Sequence, residues 1–420
     1  MTAEPVAAVR TLPCWTQGFV EWLKNAPAPE LFRQWAAICG VSGTLERKCW
    51  INASGGRIYP NLFVLLVAPP GIGKDQAIIP LRELWAEAGV VNLAPMSMTH
   101  KGMIAELAGI TDGVSSAHKQ YFESGVYVNY HTITVAVPEF GVLCPAHDLA
   151  FLSALNDLYN CGKLFDERLR GQSRRLEIEN PHISILAGTQ PQFLNAIFPE
   201  AAYGMGFTSR VIMAYHDTIH RVPVFGTSFA GDSATRSKLV ADLRSIAQMR
   251  GPFKVSEEVR EAIEHWHMHE AETTAPKHSR LLHYNTRRIL HVIKICMAFA
   301  AGRGRHELII QDFRDTLNLL YKTEYRMPEI FRAMQGRGQQ AIIEEAFNYL
   351  TSDYFKTKKP MPSQRLHAFL AVRLPSYAVD QTIKVMLDAG VIKQVNLQNP
   401  NLPTLPGPQG YIPLEFKLVE

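Results

Sequence analysis

A glycine-rich stretch, VAPPGIGKDQ, occupies residues 67–76. It follows the phosphate-binding pattern G-x-x-x-x-G-K-[ST] with a small residue first and Asp75 where a magnesium-binding hydroxyl is expected. Backbone N–H groups and the lysine of such a loop bind nucleotide phosphates. The alternative is an ordinary structural turn. The residues predicted to bind the nucleotide are Ala68, Gly71, Gly73, Lys74, Asp75 and Gln76.

A second candidate group follows the apolar segment HTITVAV at residues 131–137. ATPases with such a phosphate-binding loop usually carry Asp-Glu at the end of a following strand. The Asp supports magnesium, and the Glu orients the attacking water. Glu139 stands at the water-orienting position, and Pro138 replaces the acid. We predict that Glu139 is catalytic; the alternative is a solvated residue at the end of a strand. Asp75 would then be the magnesium ligand from the loop side, and the competing hypothesis is a decayed site.

Polar residues also follow the next apolar segment, HISILAG at residues 182–188. Thr189 and Gln190 are predicted to contact the γ-phosphate and the attacking water. Further along, GFTSR at residues 206–210 precedes the apolar segment VIMAY. Its Arg210 is predicted to reach the ATP of a neighbouring subunit and stabilise transition-state charge. A surface arginine in an ordinary ion pair is the alternative.

Basic residues crowd the segment CGKLFDERLRGQSRRLEIENP at residues 161–181. The segment fits a hairpin with a basic tip, which would contact a DNA backbone. The alternatives are a solvated loop and a contact between subunits. The residues predicted to bind nucleic acid are Lys163, Arg168, Arg170, Arg174 and Arg175.

Two adjacent arginines, Arg287 and Arg288, precede the amphipathic run ILHVIKICMAFA. One of them is predicted to fold over the nucleotide; the alternative is a charge pair at the start of a helix. The histidines at 265, 267 and 269 are spaced closely enough to suggest a metal site. Only the first and third share a helix face, and no further ligand completes the set. A solvated helix face is therefore the interpretation.

The elements that must position these residues follow from the hydrophobic pattern. The continuous apolar run at residues 62–67 predicts a strand that is buried on both faces of a parallel sheet. Residues 76–88 have helical periodicity, so the glycine-rich stretch lies between a strand and a helix. Apolar runs alternating with helical segments predict an α/β protein with a three-layer core.

Changes of pattern divide the chain into four predicted domains. Residues 1–60 are a helical region with a hairpin, and residues 61–225 are the P-loop core. Residues 226–334 are almost wholly helical and form a lid. Residues 335–420 show three helices followed by a hairpin, the order of a winged helix.

Composition places limits on the class of protein. Of 420 residues, 47% are apolar and 20% charged, which is typical of a soluble globular protein. The net charge of +4 allows a nucleic-acid partner without requiring one. No apolar run approaches the roughly 20 residues of a membrane span, and the N-terminal sequence lacks the apolar core of a signal peptide. The six cysteines form no C-x-x-C pair, which favours reduced thiols in a cytosol.

Ordered motifs over residues 15–330 resemble the AAA+ P-loop ATPases of phages and integrative mobile elements, a group of replicative helicases and helicase-like primase partners. The motifs are YPNLFVLLVAPPGIGKD, PMSMTHKGMIAELA, VAVPEFGVL, ENPHISILAGTQPQFL and GFTSRV. The resemblance implies a ring of subunits, a hexamer, with ATP and Mg²⁺ at the interfaces and DNA in the pore. It further implies a location in the bacterial host cytosol, beside replication proteins.

Within that resemblance, Lys74 would bind phosphate, Glu139 would activate water and Arg210 would be the finger. The leading expectation is an ATP-dependent, ring-forming DNA helicase or remodeller in the replication of a phage or mobile element. The alternative is a helicase loader or DNA adaptor that assembles with ATP and hydrolyses little. Asp75 and Pro138 depart from the family pattern and leave the rate of hydrolysis open.

Overall fold

Two units make up the chain, Met1–Met334 and Gln335–Glu420. The computed structural model describes residues 10–109, 117–145, 148–168, 175–198, 206–223, 225, 231–334, 338–374, 376–398 and 407–414. Of the residues predicted to have a function, Arg170 and Arg174 lie outside the described residues.

The first unit begins with two helices, α1 (Trp15–Trp22) and α2 (Glu30–Leu45), and a hairpin of β1 (Cys49–Ala53) and β2 (Gly56–Ile58). The helices pack closely, since a Cβ at Gly40 of α2 would lie 2.6 Å from the ring of Trp15. The hairpin is antiparallel. Residues 10–60 therefore contain two helices and a hairpin within the first unit.

A five-stranded sheet forms the centre of this unit. The chain supplies β3 (Phe63–Val67), β4 (His118–Glu123), β5 (Val126–Val137), β6 (Leu164–Arg168), β7 (Arg175–Glu179), β8 (Pro181–Thr189) and β9 (Val211–Tyr215). The sheet order is β4-β5-β8-β3-β9, and β6 and β7 form a separate two-stranded sheet. Four of the five strands run parallel, and β4 is antiparallel to β5. The predicted mixed α/β class with a parallel-rich sheet is therefore confirmed.

Strands β3, β8 and β9 are buried along their whole length. Helices cover the sheet, so these strands read as continuous apolar runs instead of alternating patterns. On one side of the sheet, Gly43 of α2 lies against Trp85 and against Thr134 of β5. Because β3, β5, β8 and β9 run parallel, their carboxyl ends lie at one edge of the sheet, beside the glycine-rich stretch.

Helices supply the rest of the first unit. They are α3 (Lys74–Ala88), α4 (His100–Leu107), α5 (Leu149–Tyr159), α6 (Pro191–Ile197), α7 (Ser233–Ile246), α8 (Glu257–His265), α9 (Leu282–Asn285), α10 (Arg288–Gly302) and α11 (Ile310–Met334). Short strands interrupt them: β10 (Gly251–Pro252), which pairs with β1, and β11 (Lys254–Val255), which pairs with β12 (Glu307–Leu308).

The second unit contains α12 (Gly338–Thr357), β13 (Met361–Pro362), α13 (Ser363–Ala371), α14 (Ser376–Asp388), β14 (Ile392–Asn396) and β15 (Gln409–Pro413). Its sheet has the order β13-β15-β14 and is antiparallel. A separate apolar core includes Leu350, Leu370 and Met386. Across the described parts of both units, no helix combines the length and the apolar character that crossing a membrane requires.

Candidate functional site

The glycine loop, residues 68–73, connects β3 to α3. Its start is held to β8, because the Ala68 N–H donates to the Thr189 carbonyl at 3.1 Å. Gly71 and Gly73 have φ values of 81° and 83°, a region that side chains rarely adopt. A Cβ at Gly73 would also overlap the Pro27 carbonyl group. The loop therefore needs glycine for both conformation and space, and it delivers the chain into the N-terminus of a 15-residue helix.

Lys74 is the first residue of α3 and folds back over the loop. Its Nζ donates to the carbonyl oxygens of Ala68 at 2.8 Å and Pro69 at 3.2 Å. Burial lowers the pKa of this ammonium, and the charges of Glu139 and Asp75 oppose that shift. Because neutral carbonyls are its only hydrogen-bond acceptors among the described residues, an entering polyphosphate would offer it a stronger partner.

Gly188 explains how three elements meet here. A Cβ on Gly188 would overlap the Pro138 carbonyl oxygen, and it would lie 3.1 Å from the Pro138 carbonyl carbon and 3.4 Å from Cβ of Lys74. The ends of β5 and β8 and the first turn of α3 are therefore in contact. Sequence reasoning did not identify Gly188; a glycine inside an otherwise apolar buried strand was the available signal.

Glu139 and Thr189 each bring a buried oxygen to this place. Oε1 of Glu139 and Oγ1 of Thr189 lie away from solvent without a hydrogen-bond partner among the described residues. Burial raises the pKa of Glu139, while the nearby Gly141 N–H, the Lys74 ammonium and the Thr189 hydroxyl lower it in part. The hydroxyl is thus close to the carboxylate without completing a hydrogen bond. Buried polar oxygens without partners mark a place where a ligand or water would bind.

Gln190 follows Thr189 directly. Its carbonyl accepts from the N–H groups of Phe193 at 3.1 Å and Leu194 at 3.3 Å, so its backbone begins α6. Its side chain is half-buried and makes no capping hydrogen bond. Lys74, Glu139, Thr189 and Gln190 are therefore brought together at one edge of the sheet.

The predicted magnesium ligand Asp75 is exposed in the first turn of α3. It accepts a hydrogen bond from Gln76 Nε2 at 3.2 Å. Within the described ranges, no group of three or more His, Cys, Asp or Glu residues could hold a metal ion. Mg²⁺ commonly takes only one or two carboxylates and completes its shell with water and phosphate oxygens. Asp75 could supply one such carboxylate, and its magnesium role stays a prediction.

Arg210 lies at the other end of the sheet. Strands β3 and β9 pair from Phe63 with Val211 to Val67 with Tyr215, so Arg210 precedes the pairing and the glycine loop follows it. At about 3.3 Å per residue, roughly 16 Å of strand separates them. Arg210 is 9% exposed, and its Nη1 donates to the Gly206 carbonyl at 2.7 Å. It is therefore not brought to the glycine loop of its own chain.

Arg288 lies entirely inside the first unit. Its Nη2 and Nε donate to Glu324 at 2.7 and 2.8 Å, and the guanidinium lies over the Trp266 ring. To contact a nucleotide it would have to break this buried ion pair. Arg287 is partly exposed, and its charge acts on Arg210 and Tyr159. The structure thus groups Arg287 with Arg210 and not with Lys74.

The predicted basic hairpin is formed by β6 and β7, which pair from Leu164 with Glu179 to Arg168 with Arg175. Lys163 is exposed immediately before β6. The two arginines form the last described pair, next to residues 169–174, which are outside the described residues. A hairpin is therefore present, and its DNA contact stays a prediction.

Two further groups near the loop had no sequence signal. Pro27 packs on Gly73, and His216 follows β9 with its N–H donating to the Val67 carbonyl at 3.1 Å. The His216 ring lies 6.1 Å from the Phe32 ring. Burial lowers the pKa of His216, and the charge of Arg326 adds to this effect. These residues form part of the surroundings of the loop on the β9 side.

No protein-family model matches the sequence, and no curated protein matches it.

Proposed function

We propose that the protein binds Mg²⁺ and ATP at the glycine loop and hydrolyses the ATP. The observation that carries this proposal is the meeting of Lys74, Glu139 and Thr189 around Gly188. A lysine at a helix N-terminus neutralises phosphate charge. A buried carboxylate beside it accepts a proton from the attacking water, and a hydroxyl contacts the terminal phosphate.

We further propose that subunits of this chain form a ring, a hexamer, that moves or remodels DNA in the replication of a phage or mobile element. The distance between Arg210 and its own glycine loop supports this, because such an arginine would serve a neighbouring subunit. The β6–β7 hairpin would supply the DNA contacts through Lys163, Arg168 and Arg175 together with the residues between the two strands.

A helicase loader or DNA adaptor that hydrolyses little ATP is the second candidate. Pro138 leaves the end of β5 without the usual magnesium-supporting acid, and the only carboxylate in the first turn of α3 is exposed. Assays of strand displacement on a forked duplex, with and without ATP, separate a motor from a loader. Mass measurement with and without ATP and single-stranded DNA tests the ring.

The test of the site itself compares two variants. Lys74→Ala should weaken ATP binding by about tenfold to a hundredfold, the equivalent of one charge-assisted hydrogen bond. Glu139→Gln should retain ATP binding and lower hydrolysis by about 10²- to 10⁴-fold. Lys101→Ala, an exposed lysine on α4, is the matched control and should change neither quantity. Equal ATP affinity in Lys74→Ala and the parent would reject the proposal.

A further inference from the structure

A cavity of about 280 Å³ lies between the β1–β2 hairpin and α10. Asn61 lines it and precedes β3, whereas the glycine loop follows β3, so the two places are at opposite ends of the same strand. Arg57, Tyr159 and Lys294 also line the cavity, and no acidic side chain does so among the described residues. The cavity is thus basic and separate from the proposed ATP site.

Lys294 is the unusual residue of this cavity. It is 4% exposed, and its Nζ donates to the backbone carbonyl of Asn61 at 2.9 Å and to its Oδ1 at 2.6 Å. The ammonium also lies 3.9 Å from the centre of the Tyr159 ring. Within the described part of the chain it forms no ion pair with a carboxylate. A buried ammonium without a counter-ion is costly, which is why buried lysines are usually paired.

Other positive groups nearby increase the uncompensated positive charge around Lys294. Burial lowers the pKa of Lys294 to about 7, Arg287 and Arg210 add positive charge, and Cys161 opposes the shift. Two fully buried histidines, at 182 and 291, also feel the charge of Lys294, and their pKa values are lowered as well. All these groups would be stabilised by one negative charge in the cavity.

Tyr159 and Arg57, which also line the cavity, affect which ligands it could bind. The Tyr159 ring lies against the Lys294 ammonium, and the Tyr159 hydroxyl is buried without a hydrogen-bond partner among the described residues. Arg57 is already paired with Glu123, at 2.5 and 3.1 Å. The unmet charge is therefore that of Lys294.

We propose that this cavity binds a tetrahedral oxyanion with two negative charges, either a free inorganic anion or the phosphate end of a small phosphomonoester. The Lys294 ammonium is the counter-ion, and the ring of Tyr159 forms part of the wall beside it. Hydrogen bonds between an ammonium group and an oxyanion are short and about twice as strong as those between neutral groups. Binding here does not depend on ATP binding at the glycine loop.

Calorimetric titration with sulfate tests this proposal. Sulfate keeps its charge near neutral pH, unlike a phosphate ester, whose second pKa is about 6. The titration is made in Lys74→Ala, so that the glycine loop does not contribute. Adding Lys294→Met should weaken sulfate binding at least about tenfold, the loss of a charge-assisted hydrogen bond. In the Lys74→Ala protein alone, affinity should rise as the pH falls through about 7, because Lys294 becomes charged.

A second pair of variants protects the test against misfolding. Gly55 lines the cavity, and a Cβ there would meet no atom within 4 Å. Gly55→Asp places a repelling carboxylate at the mouth and should weaken sulfate binding, whereas the neutral Gly55→Asn should not. Ribose 5-phosphate in place of sulfate distinguishes the sources: tighter binding indicates a phosphomonoester, and equal binding a free anion. Absence of sulfate binding in Lys74→Ala, or equal affinity with Lys294→Met and Gly55→Asp, would overturn the proposal.

Discussion

Replacing Gly188 by alanine tests whether the candidate site is assembled as described. The added Cβ would overlap the carbonyl oxygen of Pro138 and lie 3.1 Å from its carbonyl carbon. These are backbone atoms, so they cannot rotate away as a side chain would. The Cβ of Lys74, at 3.4 Å, is in ordinary contact. The end of β5, which carries Glu139, must therefore move while Lys74 stays.

The size of the effect follows from this geometry. Forcing one extra methyl group into a packed place costs about 1–3 kcal/mol in the free energy of unfolding. A shift of about 1 Å in a reacting group costs about 10²-fold in rate. We therefore expect Gly188→Ala to lower ATP hydrolysis about a hundredfold, with a much smaller change in ATP affinity, since the contact with Lys74 is tolerable.

The assay combines urea unfolding, ATP binding and ATP hydrolysis on the same preparations. Gly55→Ala is the matched control, because its Cβ meets nothing within 4 Å. Parent-like hydrolysis and unchanged unfolding in Gly188→Ala would show that β5 and β8 do not meet as described. A loss of ATP affinity as large as the loss of rate would show that the Lys74 side of the site had moved instead.

Three other predictions concern the remaining parts of the proposal. If Asp75 has taken over the magnesium-supporting role, Asp75→Ser should lose ATP hydrolysis and Pro138→Asp should not increase it, whereas the double variant should recover hydrolysis. Faster hydrolysis in Asp75→Ser alone would indicate that the magnesium site has decayed. Arg210→Ala should bind ATP without hydrolysing it, and mixing it with Glu139→Gln should restore some activity if the arginine acts on a neighbour; unchanged turnover in Arg210→Ala alone would refute the assignment. Neutralising four arginines of the basic segment should weaken DNA binding and lower its salt slope by about 0.9 for each lost phosphate contact, measured by DNA titration at several salt concentrations. These four are Arg168, Arg170, Arg174 and Arg175; equal DNA affinity would place the DNA surface elsewhere.

The pH dependence of the site has a definite sign. Because burial raises the pKa of Glu139, its charged form is disfavoured in the folded protein. At a pH above the raised value the folded state carries this penalty, and stability is gained as the pH falls through it. Hydrolysis, which needs the charged form as a base, should fall over the same range. Glu139→Gln should remove both effects in a pH series of unfolding and ATP hydrolysis.

The sequence was most informative where a structure is local or buried on both faces. The buried run Phe63–Val67 and the glycine loop after it depend on neighbouring residues, so the pattern alone predicts them. The strand His118–Glu123 and the start of β5 were missed. Their burial is uneven, and residues such as Val126 and Tyr127 are exposed, so neither a continuous apolar run nor a clear alternation is present.

The features that the sequence did not predict depend on contacts between residues far apart in the chain. Arg288 reads as a charge at a helix start, but its partner Glu324 comes from a different helix, and no local pattern connects the two. Lys294 sits in an apolar run that predicts a helix, and nothing in that run shows that its Nζ reaches Asn61. The sequence similarly indicated that Lys74 and Glu139 belong together, while the packing of Gly188 that joins them required the three-dimensional structure.

The place of β8 in the sheet has a consequence for the order in which the protein can form. The strands that lead to Lys74 and Glu139 are not neighbours, since β8 lies between them. During synthesis, β3 and β5 are both made before residues 181–189. The two strands therefore cannot be joined in the sheet until β8 has been made. Such long-range closure is slow compared with local structure. A nascent chain cut before Pro181 would thus carry the complete glycine loop without the strand that lies between it and the strand leading to Glu139.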